Sequence, residues 1–280
     1  MKVVVTGVTG AVGPFIVSEL EKGHELTLFA RRPVESRHRL VLGDMMSLED
    51  CRRAMEGAAA VVHLGAISEP AGDAFQVNLV STYHIMEAAR EHGVSRVIFA
   101  STNCVYGHCF RVSDRLFPLQ FLPIDETHAC APEDNYGLSK RLNEEMLAIY
   151  SRTWGIRTAA LRLNWVWGPK EIQWWTALED QDLAKFAPYF WAYVDARDTA
   201  RAFRMALEAP DLPEHGAYNI TAADTMADEN SVDLIARFYP GVKLRSKMSG
   251  RASFFDWMSA KQAFGYEPQF SWKDGWTDAG

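Results

Sequence analysis

The sequence predicts an α/β fold built on a doubly wound parallel sheet, followed by a small carboxy-terminal lobe. Short β-branched runs alternate with longer amphipathic segments through the first two-thirds of the chain, the pattern of strands joined by crossover helices. A glycine-rich segment follows the first of those runs and opens a helical one. Beyond Trp165 the alternation breaks down into clustered tryptophans and turn residues, which marks the lobe.

The elements follow in order. Val3-Val4-Val5 is a first strand; its apolar run stops at Gly7, too soon for a secretion signal. Leu26–Phe29, Ala60–Leu64 and Arg96–Ala100 are further strands, rich in β-branched and aromatic residues. Between the last two, a helix is expected from Asp73 to Glu91, with Phe75, Leu79, Met86 and Ala89 on one stripe and Gly93 ending it. A second long helix is expected from Asn135 to Arg152 after the turn Pro132-Glu133-Asp134, leading through Gly155 into a strand over Arg157–Leu163. Residues 1–163 then form a dinucleotide-binding portion. Residues 164–280 form a compact substrate lobe with returning elements, both in one body.

Bulk properties exclude several function classes. The composition, 48% hydrophobic and 23% charged, is that of a globular protein, and no segment approaches the ~18 apolar residues of a membrane span. A formal charge of −7 argues against nucleic acid, which needs a concentrated basic surface. Cys51, Cys104, Cys109 and Cys130 form no Cys-x-x-Cys pair, so neither a metal site nor a disulfide framework is expected, and a reducing cytoplasm fits.

The segment Thr6-Gly7-Val8-Thr9-Gly10-Ala11-Val12-Gly13 lies where a strand turns into a helix, so Gly7, Thr9, Gly10, Ala11, Val12 and Gly13 are candidates to approach a pyrophosphate. That placement makes the sheet Rossmann-type. The second strand ends in Phe29-Ala30-Arg31-Arg32-Pro33, with no acid to bind the adenosine ribose hydroxyls. Arg31 and Arg32 are candidates for the 2′-phosphate of NADP, which is favoured over NAD; the alternative is a solvated arginine loop.

Tyr136 and Lys140 stand four residues apart on the second long helix, hence on one face. Free tyrosine titrates near ~10, and a cation beside it is what lets it exchange protons near neutrality. Ser101 and Thr102 follow the strand Arg96–Ala100, where a hydroxyl can bond a reacting oxygen; one of the two is expected to satisfy a turn amide instead.

With these segments in order, the chain resembles the extended short-chain dehydrogenase/reductase family, the NAD-dependent epimerase/dehydratase type. The resemblance extends over Gly43-Asp44, His63-Leu64-Gly65-Ala66, Asn78, Ser101 to Gly107, Tyr136 to Lys140, Arg162 to Pro169, Tyr193 to Ala200 and Phe264 to Pro268. It implies Thr102 as catalytic hydroxyl, Tyr136 as acid/base and Lys140 as the lysine. It further implies Asp44, Met45, Leu64, Gly65, Ala66 and Asn78 at the cofactor, and Ser68, Thr102, Asn103, Asn164 and Trp165 at the substrate. A homodimer through the two long helices is also implied.

Family members acting on nucleotide-activated sugars carry a long insertion after the Gly-Pro turn. Here only 23 residues, Lys170 to Ala192, separate Pro169 from Tyr193, which points to a small sugar-like hydroxyl or keto substrate. The layout is similar to bacterial uronate dehydrogenases. The chain departs from them in that Lys170, a less directional carboxylate partner than arginine, is the sole cation between Pro169 and Lys185. The lobe tryptophans either stack on a sugar face or pack a core. A dehydrogenase/reductase is the favoured function; an epimerase that retains its cofactor and a non-catalytic cofactor sensor are the alternatives.

Overall fold

The computed structural model describes residues 1–69, 72–178 and 181–276. Its strands are β1 (Lys2–Thr6), β2 (Glu25–Ala30), β3 (Arg39–Leu42), β4 (Ala60–His63), β5 (Arg96–Thr102), β6 (Arg157–Leu163), β7 (Trp165–Trp167), β8 (Tyr193–Asp195) and β9 (His215–Ile220). Seven form one sheet in the order β3-β2-β1-β4-β5-β6-β9, with every neighbouring pair parallel. The strand order reverses direction between β1 and β4, so a crevice opens beyond their carboxyl ends, where open α/β sheets take ligands.

Both faces of the sheet are covered, which is why β1 reads as an unbroken valine run. Side chains alternate between faces along a strand. Val3 and Val5 therefore meet Ile16 and Leu20 of α1 (Gly13–Leu20), with Phe203 and Leu207 of α7 (Ala196–Glu208) in the same core. Val4 belongs to the opposite core, with Cys51 and Met55 of α2 (Leu48–Met55), Ile85 and Met86 of α3 (Ala74–Glu91) and Leu147 of α4 (Asn135–Trp154).

The two long helices lie where the sequence predicts them. Asp134 caps α4 by accepting from the Gly137 amide at 2.8 Å, and Gly155, at φ +71°, ends it in the left-handed conformation that favours glycine. The stripe predicted for α3 needs correction. Its buried face is Ala74, Asn78, Ser81, Thr82, Ile85, Met86 and Ala89, whereas Phe75 is exposed and Leu79 half-buried. Small and polar residues face inward because α3 is pressed against both α2 and α4, and large side chains would hold those helices apart.

The remaining helices are α5 (Pro169–Thr176), α6 (Leu183–Phe186), α8 (Ser231–Phe238) and α9 (Met258–Phe264). β7 and β8 pair in parallel beyond the main sheet. Their core contains Trp167, Trp175, Phe190, Trp191, Tyr193 and Phe254, all essentially without exposure. Trp165 and Trp174 remain 44% and 42% exposed, so the tryptophan cluster divides into core members and surface members. β9 and α7 return to the main sheet, β9 as its edge strand beside β6 and α7 against α1.

Candidate active site

Every strand of the main sheet points the same way, so the segments following β1, β4, β5 and β6 converge at one edge. The turn after β1 is shaped by its glycines. Gly7 has φ +69°, and a Cβ there would lie 2.5 Å from the Gly65 amide nitrogen; a Cβ on Gly13 would lie 2.2 Å from the Val8 carbonyl oxygen. The turn closes through Gly10 N–H to Gly7 O at 3.0 Å and Gly13 N–H to Gly10 O at 3.1 Å. Among the described residues, the amides of Thr9, Ala11 and Val12 have no hydrogen-bond partner, and Thr9, Gly10 and Ala11 are exposed at the mouth of α1. A tight turn presenting unpartnered amides at a helix start fits a dinucleotide pyrophosphate.

Around this turn lie the other candidates for cofactor contact. Leu64 and Gly65 are buried and Ala66 is exposed, with the Gly65 amide donating to Thr6 Oγ1 at 3.2 Å. Gly65 lies under the Met45 side chain, whose Sδ would be 2.6 Å from an added Cβ. Asp44 is exposed and its Oδ1 accepts from Met46 N–H. Arg31 and Arg32 are exposed just past β2, with no ion pair among the described residues. Asn78 is engaged internally: Oδ1 accepts from Ile67 N–H at 2.8 Å, and Nδ2 donates to Ile67 O at 2.9 Å and Ser139 Oγ at 3.0 Å. It therefore braces the loop after β4 against α4.

At the end of β5, Thr102 Oγ1 accepts from Cys104 N–H at 3.2 Å and donates to Asn103 Oδ1 at 3.4 Å. Asn103 Nδ2 donates to Asn164 Oδ1 at 2.5 Å and lies 3.4 Å from His108 Nε2. Thr102, Asn103 and Asn164 are thus one hydrogen-bonded unit. Among the described residues no hydrogen bond ties Ser68 or Trp165 to it; Ser68 is exposed, and Trp165 packs its ring on Trp167 and Trp174. Ser101, the neighbouring hydroxyl, donates to Glu144 Oε1 at 2.6 Å.

Lys140 is buried, with Nζ donating to Ala100 O at 2.6 Å and lying 5.9 Å from the centre of the Tyr136 ring. Burial brings its pKa down to about 7, opposed by the charge of Glu144. Burial, followed by the nearby Cys104 thiol, pushes the Tyr136 phenol up, and the nearby Thr102 hydroxyl works the other way. His63, between Thr6 Oγ1 at 2.7 Å and Thr82 Oγ1 at 3.2 Å, is held neutral by burial and by Lys140, at about 3.

Several members of this neighbourhood escaped the sequence. Glu144 repeats the Tyr136–Lys140 spacing one turn further along α4, a signal that was available. His108, caged by Phe117, Phe190 and Phe255, carried none. Nor did Phe110, whose backbone takes φ +49° and whose ring meets Tyr136 edge-on at 6.5 Å.

A family model described as the NAD dependent epimerase/dehydratase family matches residues 3–221. The L-arabinose 1-dehydrogenase (NAD(P)(+)) of Haloferax volcanii is 29% identical over 221 residues, 76% of this chain and 85% of that protein. A uronate dehydrogenase of Pseudomonas syringae is 33% identical over 170 residues, 58% of each. Among solved structures, a short-chain dehydrogenase/reductase superfamily protein from Agrobacterium tumefaciens with bound NAD superposes with a TM-score of 0.74 at 23% identity, covering 98% of this chain and 94% of that one. The family match runs from the first strand through the end of β9, and the parallel sheet agrees with it: the chain belongs to the NAD dependent epimerase/dehydratase family of extended short-chain dehydrogenase/reductases and is an NAD(P)-dependent enzyme.

Proposed function

We propose that this chain is a dehydrogenase/reductase that moves a hydride between nicotinamide and a hydroxyl- or keto-bearing carbon of a small, sugar-like substrate. The observation that carries the reading is the place of Lys140, whose Nζ lies 5.9 Å from the centre of the Tyr136 ring and bonds Ala100 O on β5, the strand that ends in Thr102. When bound, the nicotinamide cofactor supplies the hydride acceptor or donor. Tyr136 takes the proton from the substrate hydroxyl as its carbon loses hydride, or returns it to the carbonyl oxygen in reduction. Lys140 holds the phenolate by its charge, and Thr102 holds the reacting oxygen.

In this reading the amides of Thr9, Ala11 and Val12 take the pyrophosphate, with Gly7, Gly10 and Gly13 shaping the turn. Asp44 and Met45 face the adenine, Leu64, Gly65 and Ala66 line the cofactor, and Asn78 holds that lining in place. Arg31 and Arg32, exposed and without an ion pair among the described residues, and the absence of an acid between Phe29 and Pro33 favour NADP over NAD. Asn103 and Asn164, with Ser68 and Trp165, contact the substrate. The 23 residues from Lys170 to Ala192 favour a small substrate and cofactor release over epimerisation of a nucleotide sugar. Exposed Phe75 and Tyr83 on α3 and Leu138, Leu142 and Ile149 on α4 support a homodimer through these helices.

The test is Tyr136→Phe. Binding of NADPH, NADP⁺, NADH and NAD⁺ is measured by calorimetry, and turnover is followed with L-arabinose, D-glucuronate and other free sugars. The variant should bind cofactor as wild type does and lose nearly all turnover. A sensor would be indifferent to the change, and an epimerase would retain tightly bound cofactor through purification.

A further inference from the structure

We propose that Glu144 is the positioning residue of the catalytic set: its carboxylate holds Lys140 in the charged state and, through Ser101, ties the end of β5 that carries Thr102 to α4, which carries Tyr136 and Lys140. The proposal rests on the roles given above to Thr102, Tyr136 and Lys140. Glu144 is 1% exposed and lies one helical turn past Lys140 on α4. Its Oε1 accepts from Ser101 Oγ at 2.6 Å and from Arg162 Nε at 3.0 Å; its Oε2 accepts from Arg162 Nη2 at 2.8 Å and Arg141 Nη1 at 3.2 Å. Arg162, 4% exposed on β6, also donates through Nη1 to the Tyr106 hydroxyl at 3.0 Å, which in turn donates to Asn219 Oδ1 on β9 at 2.7 Å.

One carboxylate therefore joins α4, which carries Tyr136 and Lys140, to β5, which carries Thr102, and to β6. Ser101 and Thr102 are consecutive in a strand and point to opposite faces. Fixing the Ser101 hydroxyl on Glu144 therefore also fixes the direction in which the Thr102 side chain leaves β5. A buried ion pair of this kind contributes little net stability compared with apolar packing, so its negative charge is the property that such packing would not supply.

That charge acts on Lys140. The groups facing Lys140 are Tyr136 and Glu144 on its own helix, neutral His63 on β4, and the Ala100 carbonyl and Phe99 ring on β5. Glu144 is the anion among them, and it opposes the loss of the proton that burial favours. Glu144 itself is faced by Arg141 on α4, Arg162 on β6, His215 on β9 and Cys130 in the loop before α4.

The experiment reads Lys140 directly, by the pH titration of its side-chain carbon resonance in protein labelled with ¹³C-lysine and assigned by its disappearance in Lys140→Met. Glu144→Gln keeps the acceptor for Ser101 and removes the charge; Lys140 should titrate about one pH unit lower than in wild type. Where the unpaired Arg162 prevents folding, Glu144→Gln/Arg162→Gln removes both charges and should shift Lys140 in the same direction. Ser101→Ala keeps the charge and cuts the tie to β5; with L-arabinose as probe, kcat should fall about tenfold while KM and cofactor affinity hold. An unshifted Lys140 in the folded charge variant, or an unchanged kcat in Ser101→Ala, overturns the proposal. Failure of the wild-type enzyme to oxidise any sugar would instead count against the proposed function, and the Lys140 titration would still judge Glu144.

Discussion

Lys140→Met should make the protein more stable near neutrality while abolishing its activity. An ammonium buried so that its pKa falls from 10.5 to about 7 is disfavoured in the fold by roughly 5 kcal/mol at pH values below 7. Methionine matches the length of the stem without the charge. Against that gain stands the loss of the bond from Nζ to Ala100 O, about 1–3 kcal/mol when the carbonyl is left unpaired, and of the contact with the Phe99 ring, about 1 kcal/mol. A net stabilisation of about 1–3 kcal/mol is expected at about pH 6. The sign of its pH dependence follows from proton binding. Between the folded pKa of about 7 and the unfolded 10.5, the unfolded chain holds a proton that the fold has released, so wild type gains stability as pH rises through this window. The advantage of the variant should shrink across it and reverse by about pH 10. Urea unfolding at several pH values from about 6 to 10 measures both quantities. A variant less stable than wild type at about pH 6, or a difference that stays constant with pH, refutes the assignment of Lys140 as a buried, strained charge.

Other substitutions separate shape from chemistry. Gly7→Ala places a Cβ 2.5 Å from the Gly65 amide nitrogen at a positive φ, so it should cost about 2–4 kcal/mol in urea unfolding and at least tenfold in cofactor affinity. Gly10→Ala meets only the Gly7 carbonyl, at 3.2 Å, and should fold almost normally. Arg31→Ala and Arg32→Ala should each weaken NADP⁺ binding about tenfold and leave NAD⁺ binding unchanged by calorimetry; equal losses for both cofactors would remove the arginines as readers of the 2′-phosphate. Trp175→Ala, in the lobe core, should destabilise by about 3–5 kcal/mol, whereas Trp165→Ala, 44% exposed, should leave unfolding nearly unchanged and raise KM for the sugar.

Much of the fold was legible because its signals are local. The valine run of β1, the glycine turn after it, the capped helix starting at Asn135 and the Tyr136–Lys140 spacing each lie within a few residues of chain, where period and capping rules apply. The stripe on α3 misled because Phe75 and Leu79 have helical spacing but lie outside its buried face, where Ala74, Asn78 and Ser81 pack instead. β9 was missed because His215-Gly216-Ala217-Tyr218-Asn219-Ile220 lacks a β-branched run, as suits a half-buried edge strand.

The sequence by itself therefore determined a parallel α/β sheet, a dinucleotide-type turn and the residue types of an acid/base pair on one helix face. Only the tertiary structure decided which partners those residues meet. Asn103 bonds Asn164 across 61 positions, Ser101 reaches Glu144 across 43, and Tyr106 reaches Asn219 across 113. Such contacts leave no periodic trace, because they arise from strand order and from helices packing against one sheet face. Burial in that packing brings the Lys140 amine down to about 7 and makes the Glu144 charge matter.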